Sequence, residues 1–439
     1  MINGFINAFQ NSVWNLLLLL ILLGTHIYFT VKLKFIQKKV PEGIILSFSK
    51  DTSGQGGISP YASLATALAA TIGTGNIIGI STAIAIGGPG AVFWCWITGI
   101  FGMATCYAEC FLSVKYRIKK ENGDYAGGAM YVLERVLHKK KAALFFAFFA
   151  VAASFGIGSS VQSHAISAAI TEKLSISPHM AGIGVAMLAA SILLGGGKSI
   201  AKVCTYLVPI MSFLYLGGCF FLIIKNAGII PKTVMVIVNA AFTSESVAGG
   251  IAGTAVMTGI RVGISKGLFT NEAGMGSIAM SAADAKTTSA VKQGIISMTG
   301  VFWDTVVMCA ITGITIVSCM LKNPAFFQNI ESDRLCFAAF SFMPAGEWIL
   351  TVSLVLFAFA TIIGWSYYGE CAAGYLFGER GIGIYQLLFI VTIYLGAIMS
   401  LEMVWGLADL FNSFMAIPNI LSLFLLRKII IGETLKKTN

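Results

Sequence analysis

Charge is what this chain has least of. Only 11% of its 439 residues are Asp, Glu, Lys or Arg and only four are His, where an average soluble domain carries about 25% charge. With 57% hydrophobic residues and a mean hydropathy of +0.84, a water-soluble globular protein is excluded. The nine Cys include no Cys-x-x-Cys pair, and Cys95, Cys106, Cys110, Cys219 and Cys309 lie inside apolar runs. They read as core thiols, with no metal site or redox compartment implied. Four scattered His also leave a membrane enzyme without the clustered acid–base or metal-binding groups it needs. Nucleotide motifs are missing as well. Gly73-Thr74-Gly75 has Ile78 where a dinucleotide fingerprint needs glycine, and Gly197-Lys198-Ser199 has Ile192 where a P-loop needs its first glycine. Nothing points to ATP as an energy source. Nor is there the repeated filter or ring of like charge of a passive channel.

The apolar residues fall into long runs. At ~20 residues per crossing, eleven spans fit, at 13–31, 60–87, 90–114, 143–171, 180–195, 203–224, 250–282, 293–321, 347–377, 382–400 and 402–427. The expected fold class is an all-α polytopic membrane protein in the lipid bilayer. The first run has no basic segment before it and no small-x-small cleavage site after it, so it reads as a retained span. Pro41–Ser49 and Pro231–Phe242 are amphipathic and too short to cross, and they read as surface helices.

The net charge of +10 does not imply a nucleic-acid partner, because the basic residues sit in short clusters between apolar runs. That is a topology signal. Placing the N-terminus outside and the C-terminus in the cytoplasm puts 22 of the 29 Lys and Arg on the cytoplasmic side, including Lys32–Lys39, Lys115–Lys120 and Lys139–Lys141.

Chemistry is expected where the spans are interrupted. The second contains Thr71-Ile72-Gly73-Thr74-Gly75-Asn76 and the seventh Gly267-Leu268-Phe269-Thr270-Asn271-Glu272-Ala273-Gly274-Met275-Gly276. Unwound backbone at membrane depth survives only where it is buried in protein or lines a cavity. The breaks lie about 200 residues and five spans apart. Glycine-interrupted segments at corresponding positions of two halves point to an inverted-repeat transporter with a site near the midplane. Gly75-x-x-x-Gly79 alone would read as helix packing, but its pairing with the second break, and the Asn76 and Asn271 oxygens, favour a substrate site.

At these residues the chain resembles the alanine or glycine:cation symporter family, which includes the sodium:alanine symporters, within the amino acid–polyamine–organocation transporters. The matching segments are 73–79 (Gly-Thr-Gly-Asn-Ile-Ile-Gly), 88–94, 128–131, 271–276 and 364–370. The resemblance implies a LeuT-type five-plus-five core: an extra helix and amphipathic segment (1–50), a first repeat (51–225) and a second (226–439). It implies symport of Na⁺ with a small neutral amino acid, alanine or glycine; H⁺ coupling or a broader range such as glutamine or serine is the alternative. Substrate contacts would come from Gly73, Thr74, Gly75, Asn76, Gln162, Phe269, Asn271, Gly274 and Trp365, with the amides of Thr74 and Gly75 on the carboxylate and Trp365 walling the pocket. Gln162, on a face with Ser159 and Ser163, reads equally well as a tie between helices. Asn76, Thr270 and the Thr71 carbonyl would hold one Na⁺; Thr361 with the Ala69 and Ile72 carbonyls would hold a second. Ala360 stands where the family often has Ser, and Ala129 where it often has Pro.

Ionisable groups inside spans are functional or paired. Asp304 reads as an ion-coupling group or a paired one. Glu272 is expected to balance Arg261 or Lys266, Glu109 and Glu370 to cap or pair at span ends, and His164 to pack as a neutral ring.

Overall fold

The computed structural model describes residues 13–49, 56–120, 123–243 and 255–438. Its described residues are helical but for loops and one hairpin, β1 (Ile118–Lys119) paired antiparallel with β2 (Tyr125–Ala126). α1 (Val13–Lys32) turns into α2 (Ile36–Ser47) at 70°, through left-handed backbone at Lys34 and Phe35. α3 (Pro60–Thr71) starts on Ser59, whose hydroxyl accepts from the Ala62 amide and caps the helix. It meets α4 (Gly75–Gly87) at 51°. Then follow α5 (Gly90–Lys115), α6 (Lys140–Leu174), α7 (Pro178–Leu193), α8 (Gly196–Lys225) and the surface helix α9 (Ala227–Ala240). In the second half lie α10 (Ala255–Asn271), α11 (Ile278–Ala283), α12 (Ala290–Lys322), α13 (Leu335–Phe340), α14 (Gly346–Phe377), α15 (Glu379–Ile398), α16 (Leu401–Leu425) and α17 (Arg427–Thr438).

Six of these helices, α5, α6, α8, α12, α14 and α15, are long and apolar enough to cross a membrane, and treating the bent pairs α1–α2, α3–α4 and α16–α17 as single spans gives up to nine. Two expected spans differ from simple rods. The run at 180–195 is the 16-residue α7, about 24 Å at 1.5 Å per residue, short of the ~30 Å hydrocarbon. The run at 250–282 is divided between α10 and α11, and 250–254 lie outside the described residues.

The halves interlock. α10 lies on α5 through a stripe of small residues: a methyl on Gly263 would meet Trp94 Cβ at 2.9 Å, and one on Gly267 would meet Cys95 Cα at 3.2 Å. Close backbone approach of this kind is how helices adhere in lipid, where apolar burial gives no drive. Ion pairs sort the bundle into two ends. Lys115–Glu433, Lys120–Glu379 and Lys198–Asp124 lie at one end, Arg334–Glu172 and Lys173–Glu347 at the other.

Candidate functional site

Both interruptions are real breaks, and the fold sets them side by side. In the first, α3 runs out at Thr71, Ile72 is extended, and the Gly73 amide is taken by the Asn76 side-chain oxygen at 2.9 Å. That bond compensates one amide freed by the unwinding. The Thr74 amide points to Gln162 Oε1 at 3.5 Å, and Gln162 donates to the Ile157 carbonyl of α6. Gln162 therefore ties α6 to the break, the second of the two roles the sequence left open.

In the second break, Glu272 (φ 52°), Gly274 (φ 91°) and Gly276 (φ 81°) carry the chain through left-handed backbone. Two of the three are glycine, which adopts it at no steric cost. Asn271 folds its oxygen onto the Ala273 amide at 3.0 Å, while its buried Nδ2 has no partner. A methyl on Gly75 would come within 2.6 Å of Thr270 Cγ2 and 3.6 Å of the Phe269 ring. The two breaks thus touch through Gly75 and the 269–270 dipeptide.

α14 and α12 close the site from either side. Thr361 of α14 places its hydroxyl 3.4 Å from the Ile72 carbonyl and 3.1 Å from that of Phe357. From α12 comes Asp304, fully buried within a π-helical stretch, Phe302–Cys309. Its carboxylate accepts from Asn76 Nδ2 at 2.8 Å and from Thr305 Oγ1 at 2.7 Å. The Asn76 amide also reaches the Asp304 carbonyl at 3.1 Å and Cys309 Sγ at 3.2 Å. Thr270 lies 3.9 Å from the same sulfur, its hydroxyl turned onto the Lys266 and Gly267 carbonyls. Asn76, Thr270 and Asp304 therefore converge, and the hydrogen-bond partners of Asp304 are all neutral. A buried carboxylate without a cation is costly; a bound cation would remove that cost.

Several ionisable residues sit elsewhere than the sequence suggests. Glu272 does not face Arg261 or Lys266: it accepts from Ser277 Oγ at 2.6 Å and from Trp365 Nε1 at 2.8 Å. Trp365 is fully buried, its ring against Gly158 and Tyr368. It braces the second break through Glu272. Glu109 is not a span-end salt bridge. Buried in α5, it accepts from Asn419 of α16, which also donates to the Gly274 carbonyl at 2.9 Å. Its position within the unbroken apolar run 103–114 was the available signal. Glu370 accepts from Gln386 at 2.8 Å. His26, unremarked in the sequence, is wholly buried in α1, bonded to Thr105 and close to Gly274, so α1 supports the second break. His164 lines a cavity of about 220 Å³ that reaches from Glu172, Glu331, Asp333 and Arg334 down to Thr74. The buried Thr74 hydroxyl, at its floor, has no partner. Drug-sized ligands need ~300–1,000 Å³, so this space suits a small solute.

Two helices broken against each other beneath such a cavity define a secondary transporter of LeuT-type fold. A solved structure of MhsT in complex with L-phenylalanine superposes with a TM-score of 0.61 at 16% identity, covering 85% of this chain and 89% of that one. The chain belongs to the sodium:alanine symporter family, whose profile matches residues 1–437; it is a transporter and not an enzyme. It is 42% identical to the sodium/alanine symporter AgcS of Methanococcus maripaludis, over 98% of this chain and 96% of that protein. It is 36% identical to the probable sodium/glutamine symporter GlnT of Bacillus subtilis, over 96% and 87%.

Proposed function

We propose that the protein couples Na⁺ entry to uptake of a small neutral amino acid, alanine or glycine, by alternating access. The observation that carries this reading is the convergence of Asn76, Thr270 and neutral-partnered Asp304 beside the Gly73–Gly75 break. One Na⁺ would be held by Asn76, Thr270 and the Thr71 carbonyl, with Asp304, already an ion-coupling candidate from the sequence, as its counter-charge. The substrate carboxylate would take the Thr74 and Gly75 amides at the positive end of α4, with Gln162, Phe269, Asn271 and Gly274 around it and Trp365 supporting the second break. The relatives favour alanine over glutamine, since identity to the sodium/alanine symporter AgcS, 42%, exceeds that to the probable sodium/glutamine symporter GlnT, 36%. The test is uptake of radiolabelled alanine into proteoliposomes. Accumulation that requires an inward Na⁺ gradient is expected; equilibration without accumulation would make the protein a channel, and accumulation on an H⁺ gradient alone would replace the coupling ion.

Thr361 supplies the second Na⁺ position, with the Ala69 and Ile72 carbonyls. A hard cation needs several oxygens, and Ala360 offers none. Thr361→Ala is therefore expected to raise the Na⁺ concentration for half-maximal uptake about tenfold, ~1.4 kcal/mol, and to weaken alanine affinity mainly at low Na⁺ because linkage is reciprocal. Ala360→Ser should leave Na⁺ affinity unchanged or improve it. An unaltered Na⁺ activation curve for Thr361→Ala removes this residue from the ion site.

The orientation that satisfies the positive-inside rule puts the Lys115, Lys120 and Lys198 end of the bundle in the cytoplasm and the Glu172–Arg334 end outside. On a Cys-free background, a single Cys at Asn3 should react with an impermeant reagent in intact cells and one at Thr438 should not; the reverse pattern inverts the topology.

A further inference from the structure

The end of the bundle opposite the cavity is closed by a joint that the transport site does not use. Asp284, directly after α11, is buried at 6% exposure, and one of its oxygens accepts two backbone amides, Gly57 at 2.9 Å and Tyr125 at 3.0 Å. Gly57 belongs to the lead-in to α3, the inner half of the first broken span, and Tyr125 belongs to β2. The Gly57 and Ile58 amides also reach the Asp284 carbonyl, the Lys286 amide reaches the Ile58 carbonyl, and residues 58 and 285 form a parallel bridge. Gly57 is tailored to this contact: a methyl there would lie 2.5 Å from Asp284 Oδ2.

Around Asp284 the hairpin is clamped to the same turn. Arg117 donates to the carbonyls of Ala283, Ala285 and Thr287 at 2.8–3.0 Å while stacking on Tyr125, and Lys198 of α8 pairs with Asp124 at 2.9 Å. Deeper in the seam, Ser63 of α3 donates to the Ser281 carbonyl of α11 at 3.0 Å. The inner halves of both broken spans are thus fastened to each other and to the hairpin, and the Asp284 carboxylate is, among the described residues, the one side chain that binds all three.

We infer that Asp284 is the fastener of the cytoplasmic gate, a positioning residue that sets the balance between outward- and inward-facing states. This rests on the alternating-access reading above. The inner halves of the broken spans must part for substrate to leave, and parting them strands the Gly57 amide and breaks a charge-assisted bond. Release of the latch should therefore be driven by substrate and ion occupancy, and removing it should let the gate open without them.

The experiment measures thiol reactivity at both ends. On a Cys-free background a single Cys at Ser63, in the buried seam, reports the inner gate; one at Ala168, exposed in the outer cavity, reports the outer path. In Na⁺ without substrate the parent should label quickly at 168 and slowly at 63. Asp284→Ala is expected to speed labelling at 63 at least tenfold and to slow it at 168, with Asp284→Asn intermediate because its oxygen still accepts both amides. Gly57→Ala, which pushes the latch apart without removing charge, should act in the same direction. Faster labelling at both positions would mean general loosening, and unchanged labelling in all three variants would mean no latch; either outcome overturns the proposal. Failure of the parent to accumulate alanine on a Na⁺ gradient would instead count against the symport reading, so the two failures are separable.

Discussion

Asp304→Asn should raise the Na⁺ concentration needed for half-maximal alanine uptake ~30-fold or more while the protein remains folded in the membrane. The substitution keeps the size of the side chain and an oxygen for Thr305 Oγ1, which now donates at 2.7 Å. It removes the charge. Hydrogen bonds and contacts to a charged group are worth about 1.5–3 kcal/mol net, and a cation held beside Asn76 and Thr270 would lose its only full counter-charge among these ligands. About 2 kcal/mol corresponds to a ~30-fold change in affinity. The apo protein, by contrast, should be unharmed or slightly stabilised, because a buried carboxylate with neutral partners is itself unfavourable. Na⁺ activation curves in proteoliposomes, with thermal unfolding in detergent as the control, check both statements. A parent-like activation curve would leave Asp304 a structural residue.

The sequence exposed the large features because the membrane enforces them. Apolar length revealed the long helices, and the paired glycine interruptions revealed the breaks, since unwound backbone at depth has few permissible residues. The pairing of Thr361 with Ile72, 289 positions away, was legible only through the resemblance to the symporter family. What the sequence could not show was which side chain meets which across helices. Asp304 and Asn76 are 228 positions apart, Glu109 and Asn419 are 310 apart, and Glu272 meets Trp365 across 93. The nearest basic residues in sequence, Arg261 and Lys266, suggested ion pairs for Glu272. Yet the left-handed turn at Glu272 carries the carboxylate past its own helix to Ser277 and the α14 indole. Periodicity contains no information about such a turn.

The contact that most needs both partners is Asn76 with Asp304, and exchange of the two side chains should show it. Asn76 acts in two directions, its oxygen accepting the Gly73 amide and its nitrogen donating to the Asp304 carboxylate. Asn76→Ala leaves a buried amide and a buried carboxylate short of a partner, at about 1–3 kcal/mol each, and uptake should fall below a tenth of the parent. Asn76→Asp restores the acceptor but sets two carboxylates against each other with no donor between them, so it should fail as severely. Combined with Asp304→Asn, however, the donor returns on the α12 side and a single negative charge remains in the site. The double variant should transport at least tenfold faster than Asn76→Asp alone, a coupling of ~1.4 kcal/mol or more. Additive losses in this cycle, measured as Na⁺-driven alanine uptake normalised to protein in the membrane, would mean that the two residues serve the site independently. Rescue would instead assign the negative charge to the ion site as a whole and the hydrogen bond to holding the first break in shape.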